Sequence, residues 1–260
     1  MASLPTGYVP LIGRLWRRWR GELPELPAES WRQTRAAIPW AQRLDAERDL
    51  RWQHLTRIFL RQKTITPLAG LTLDDGQRLL LAALCCLPLL EYGKDGLRGW
   101  QQLLVYPGAF RVRYSYMDAS GVLHEGDDDP IGEAWESGPL ILSWADVQAE
   151  LDEPDAGACV VVHEMAHKLD ALDGLLDGAP PLPHRWRQEW ARDFQRAYSD
   201  FCREVDKGVE TAIDPYASEA PEEFFAVLSE YHFSAPAILQ AEMPEIAAHL
   251  SRFYGAFPPN

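Results

Sequence analysis

Residues 159–170 read CVVVHEMAHKLD. Three valines lead into His163, and Ala166 and Leu169 follow Glu164, an apolar pattern that predicts a buried helix from about residue 160 to 172. In such a helix His163 and His167 stand four residues apart, one turn up the same face, so both imidazoles reach a single ion at about 2.0–2.1 Å. Glu164 completes H-E-x-x-H, placed where a carboxylate takes a proton from a bound water without being a ligand itself. A buried helix does not hold three titratable groups without a partner to satisfy them, and a cation is such a partner.

A catalytic site of this kind needs a third protein ligand. Asp170 and Asp173 follow closely, and Asp170, three residues beyond His167, is expected to orient a ligand imidazole. Farther on, residues 221–233, PEEFFAVLSEYHF, begin a second helix whose Phe224, Phe225, Leu228 and Tyr231 form a face for packing on the first. Its opening turn offers Glu222 and Glu223. Glu223 shares a stripe with Val227 and Glu230, whereas Glu222 complements the positive end of the helix dipole; geometry alone leaves both open.

Outward from these two helices the pattern is mostly helical. Apolar positions recur at helical spacing over 45–63, Asp74 and Asp75 cap a nearly all-apolar helix ending near 87, and Ser143 caps a helix from Trp144. In residues 184–205, Trp186, Trp190, Phe194, Tyr198, Phe201 and Val205 step along one face, a core stripe. Between 99 and 144 the period falls to two, with short strands expected at 103–106, 110–116, 122–125 and 139–143. The fold class is α+β, mainly helical, with a small mixed or antiparallel sheet.

The 260 residues are 47% hydrophobic and include ten Trp, enough to exclude a disordered chain. The longest apolar run, 79–90, is short of the roughly 20 residues that span a bilayer, so no membrane span is expected. The amino-terminal stretch places its basic residues after a weak apolar segment, the reverse of a secretory signal, which points to the cytoplasm. Four cysteines without a C-x-x-C pair read as buried thiols. The net charge of −14 is uneven: residues 1–63 hold 12 Lys and Arg against 6 Asp and Glu, net +6, and residues 64–260 hold 13 against 33, net −20. The acidic part argues against direct nucleic-acid binding.

HEMAHKLD, the segment 214–236 (DPYASEAPEEFFAVLSEYHFSAP) and the segment 132–144 (GEAWESGPLILSW) together resemble the Mlc titration factor A family of zinc metallopeptidases, a likeness running from about residue 31 to 255. The resemblance implies a zincin-like fold of gluzincin type, Zn²⁺ held by His163, His167 and Glu223, and Glu164 as general base. It is also similar to the core of lethal-factor-type proteases, which implies that Tyr216, in DPYA, donates a hydrogen bond to the oxyanion. The implied activity is cleavage of peptides, as an aminopeptidase, together with binding of the Mlc glucose repressor. A repressor-binding module with a structural zinc is the alternative. By this reading residues 1–30 are a basic arm, poorly ordered or one short helix, 31–100 a helical part, and 101–260 the peptidase part, packed with 31–100 as one unit.

Overall fold

The computed structural model describes residues 23–108, 114–117, 123–126 and 138–257; the Arg and Trp cluster at 14–20 lies outside them. α1 (Ala28–Ala37) and α2 (Ala46–Gln62) come first, α2 being capped by Asp45, whose carboxylate accepts from the Arg48 amide at 2.8 Å. α3 (Asp75–Cys86) starts with a capping box formed by Asp74 and Gln77. It is apolar nearly all round, and accordingly it is central: Leu79 and Leu81 through Cys86 are all buried. Trp31 of α1 sets its ring edge-on to Trp52 of α2, and the Trp52 indole N–H donates to the Ala83 carbonyl of α3 at 2.8 Å. Three helices are thereby fastened through one indole.

A three-stranded sheet follows from β1 (Thr64–Pro67), β2 (Gln102–Tyr106) and β5 (Leu140–Ser143), in the order β1, β2, β5. Both pairings are parallel, with Ile65 opposite Leu103 and Leu104 opposite Ile141. A separate antiparallel hairpin joins β3 (Tyr114–Met117) to β4 (Leu123–Gly126). The expected mainly helical α+β class is met, and three of its four strands fall within a residue or so of their expected bounds; residues 110–113 of the remaining one lie outside the described residues. The main sheet is parallel throughout, not mixed or antiparallel as expected: β2 and β5 run parallel to each other, and β1, a strand that the sequence did not announce, adds a second parallel pairing. T-I-T-P is short and ends in proline, and α3 forms the crossover between β1 and β2.

Ser143 ends β5 and caps α4 (Trp144–Asp152), its hydroxyl accepting from the Asp146 amide. Then come α5 (Val160–Asp170), extended by a 3-10 turn at Ala171–Asp173, the 23-residue α6 (His184–Asp206), and α7 (Pro221–Ser234). The aromatic stripe of α6 does face the core, with Trp190 stacked on Phe194 at 4.0 Å, Trp190 packed against Phe225 of α7 and Phe194 against both Phe224 and Phe225. Two further helices, α8 (Pro236–Glu242) and α9 (Pro244–Tyr254), each open on a proline in the first turn, where its missing N–H costs nothing. One contiguous apolar cluster runs from Trp31 to Phe257 and includes the inner faces of α3, α5 and α7. No helix among the described residues is long and apolar enough to cross a membrane. Cys85, Cys86 and Cys159 are buried free thiols and Cys202 is half-buried.

Candidate metal centre

α5 packs chiefly on α7, and the two helices bring the sequence-predicted ligands together. The Nε2 atoms of His163 and His167 face each other at 3.1 Å. Glu223 closes the group, with Oε2 at 3.1 Å from His163 Nε2 and Oε1 at 3.5 Å from His167 Nε2. One donor atom from each residue lies within 4.8 Å of the others, and the group draws on Glu223 and not on Glu222.

The residues fit a divalent cation on two observations. Glu223 Oε2 is buried and has no aligned hydrogen-bond partner although an imidazole nitrogen is close, an arrangement that a cation satisfies and a hydrogen bond does not. The set of two imidazole nitrogens and one carboxylate oxygen is also that of a catalytic transition-metal site, with one position left for water or substrate. Electrostatics agree. Burial opposes the charge on His163, yet the carboxylates of Glu223, Glu230 and Glu164 overcome it and push the imidazole up to about 10. Burial likewise opposes ionisation of Glu223, and the two imidazoles hold it well below the usual carboxylate range. The pocket therefore favours positive charge at its centre.

Glu164 stands half-buried beside His163 on α5, and its charge is felt by His163 and Lys168. Tyr216 lies on the 3-10 turn Pro215–Ser218, its ring tilted over that of His163 at 6.2 Å between centroids. That turn is secured from three sides. Asp214 accepts from the Tyr216 amide at 2.9 Å, and Tyr198 of α6 donates to the Ser218 carbonyl at 3.1 Å. The phenol of Tyr231 on α7 accepts from the Asp214 amide and donates to the Ala212 carbonyl.

Asp170 does not orient an imidazole. It is fully buried and its two oxygens accept from the amides of Gly178 and Ala179, fixing the loop that leaves α5. A residue near a helix C-terminus reaches the chain that follows it more readily than the ring a turn below. The carboxylate on the His163 ring is Glu230, whose Oε1 is 2.8 Å from His163 Nδ1. Its signal was the stripe it shares with Glu223, seven residues and two turns away on α7. Glu150, by contrast, had no sequence signal; it accepts from the Val160 amide at 2.9 Å, and burial pushes it up to about 7.

A mainly helical α+β fold in which an H-E-x-x-H helix meets a glutamate from a later helix defines the class of H-E-x-x-H metallopeptidases. The chain belongs to the glucose-regulated metallo-peptidase M90 family, whose sequence model matches residues 13–255. It is 38% identical to Mlc titration factor A of Serratia proteamaculans over 243 residues, 92% of each chain. It is 37% identical to that of Escherichia fergusonii over 244 residues, covering 92% of this chain and 91% of the relative. Mlc titration factor A of Yersinia pestis is 38% identical over 245 residues, 92% of this chain and 89% of the relative.

Proposed function

We propose that this chain is a zinc-dependent peptidase of aminopeptidase type that also binds the Mlc repressor. One observation carries the reading: the donor atoms of His163, His167 and Glu223 converge within 4.8 Å, with Glu164 at the adjoining position of α5. Zinc, when bound, polarises a peptide carbonyl and acidifies a water. Glu164 accepts the proton of the attacking water and passes it to the departing amine nitrogen, so the carboxylate ends the cycle as it began. Tyr216 donates its phenolic hydrogen bond to the carbonyl oxygen as charge builds there. Among the described residues β5 pairs only with β2, and its other edge offers backbone groups to an extended peptide. Lys168 of α5 steadies the approach to that strand by donating to the Gly138 carbonyl at 3.0 Å. The net −20 of residues 64–260 favours a substrate's free ammonium end. In this reading 101–260 is the peptidase part, 31–100 the helical part packed on it, and the protein works in the cytoplasm. Binding of Mlc is supported by the name its relatives share, and the net charge of −14 suits a protein partner better than DNA.

Metal analysis of protein purified from zinc-replete cells should give about one zinc per chain. Glu164→Gln should keep that zinc while hydrolysis of a chromogenic amino-acid amide falls by about 10²–10⁴-fold. Absence of zinc would remove the site, and full activity of the variant would remove the role of Glu164. Immobilised Mlc should retain the chain; passage without retention would end the repressor reading.

A further inference from the structure

Glu230 makes two contacts at once. Its Oε1 faces His163 Nδ1 at 2.8 Å, and its Oε2 accepts from the Cys159 amide at 2.5 Å. Cys159 begins the same helical turn, since its carbonyl accepts from the His163 amide at 2.9 Å. One carboxylate, held on a different helix, thus touches both the backbone where α5 starts and the ring that α5 presents. α5 has no capping side chain of its own and no acidic residue in its first turn, so the capping carboxylates come from Glu230 and Glu150.

A carboxylate oxygen only accepts, so the hydrogen in the Glu230 contact sits on His163 Nδ1. That leaves Nε2 as the atom facing His167 Nε2 and the unpartnered Glu223 Oε2. With the ring free to turn about χ2, either nitrogen would be available and the donor would be poorly aimed. Glu230 and Glu223 lie two turns apart on α7, so α7 contacts opposite nitrogens of one imidazole.

We propose that Glu230 is a positioning residue for the metal centre, fixing His163 with its Nδ1 hydrogen-bonded and its Nε2 directed at the cation, and tying that orientation to the first turn of α5. The proposal rests on His163, His167 and Glu223 being metal ligands. Carboxylates behind ligating imidazoles set the ring's tautomer and basicity, and their loss weakens metal binding by about 10–100-fold. Glu230 is therefore a group whose removal lowers affinity without removing a ligand.

The test compares Glu230→Gln with Glu150→Gln, which alters the other carboxylate at the same helix end but bonds no imidazole. Zinc dissociation constants are measured by competition with a chromophoric chelator, and visible spectra are recorded after cobalt(II) loading. Glu230→Gln is expected to weaken zinc by about 10–100-fold and to change the cobalt d–d absorption. Glu150→Gln should leave affinity within about threefold and the spectrum as in wild type, even where both variants lose similar thermal stability. Glu230→Asp keeps the charge and should bind zinc more tightly than Glu230→Gln but more weakly than wild type; it carries the comparison if the Gln variant does not fold. Wild-type affinity and spectrum in Glu230→Gln, or in Glu230→Asp where the Gln variant does not fold, would overturn the proposal, as would equal weakening by Glu150→Gln, which would leave Glu230 a helix cap only. His163→Ala separates the two levels: if it binds zinc as tightly as wild type, the ligand assignment fails and the proposal with it, whereas an intact His163 dependence with an unaffected Glu230 variant overturns the positioning role alone.

Discussion

Half of Tyr216 is open to solvent, whereas the side chains of His163, His167 and Glu223 are only 15%, 20% and 19% exposed. Tyr216 is therefore open to solvent, while His163, His167 and Glu223 face one another. Under the proposed role, Tyr216→Phe removes a donor to the developing oxyanion and leaves the ring's packing beside His163. kcat for an amino-acid amide should drop by about 10²-fold, with KM within a few-fold and zinc content unchanged; a variant with wild-type kcat would place the tyrosine outside the chemistry. At this scale the pair His163 and His167 is legible from spacing alone, because the helix fixes which residues share a face. The choice of Glu223 over Glu222 was not, since it depends on how α7 crosses α5. Asp170 marks the same limit: its partners, Gly178 and Ala179, belong to a loop whose path no periodicity encodes.

Helix α7 does several tasks on successive turns. Glu223 meets the two histidines, Glu230 meets His163 from behind, and Tyr231 fastens the segment that carries Tyr216. The ring of Tyr231 also fills the space beside Gly157, whose φ of +84° suits glycine and where an added Cβ would come within 2.6 Å of the phenol ring. Tyr231→Phe keeps that packing and deletes only the oxygen between the Asp214 amide and the Ala212 carbonyl. Stability should fall by about 1–3 kcal/mol in urea unfolding, and kcat should fall with zinc affinity unchanged, because the turn bearing Tyr216 loses one of its anchors. Loss of stability with kcat intact would show that the turn holds without the phenol. The long amphipathic elements, α2 and α6 among them, were readable because burial of one face imposes a period on fifteen or more residues. β1 was not readable, for four residues carry no period and Thr64–Pro67 is a strand through its pairing with β2. α8 and α9 are short, and the prolines that open them read equally well as breaks.

Across the whole molecule, the basic excess of residues 1–63 is in part internal wiring. Arg48 donates to the Tyr254 and Ala256 carbonyls and lies 4.7 Å over the Phe257 ring, and Arg51 reaches Glu91 and the Leu90 carbonyl. The Arg48 contacts hold α2 to the end of α9 and the tail that follows it, where the buried His232 of α7 also donates from Nε2 to the Gly255 carbonyl at 3.0 Å, and the Arg51 contacts hold α2 to the segment that follows α3. Burial is the main reason that His232 is pushed down to about 4; the Gly255 bond opposes it, and the Arg48 guanidinium adds to it. In the unfolded chain the same imidazole titrates near 6.5. Between those values the unfolded state binds a proton that the native state refuses, so this group's contribution to stability is present above about 6.5 and is lost as pH falls toward 4, by about 3 kcal/mol in all. Glu150 and Asp170, each pushed up to about 7 by burial, act with the opposite sign in that window, because there the native state holds the extra proton. His163, pushed up to about 10, is protonated in both states below about 6 and adds no slope there. The net pH dependence is therefore a sum of opposed parts, and the His232 part is isolated by difference. His232→Gln keeps a donor for Gly255 and cannot titrate; it should lose less stability than wild type when urea unfolding of metal-free protein is compared at pH 7.5 and 4.5. Equal losses in the two proteins would mean that His232 takes up its proton without unfolding, and that the contact between α7 and the tail opens more easily than its burial implies.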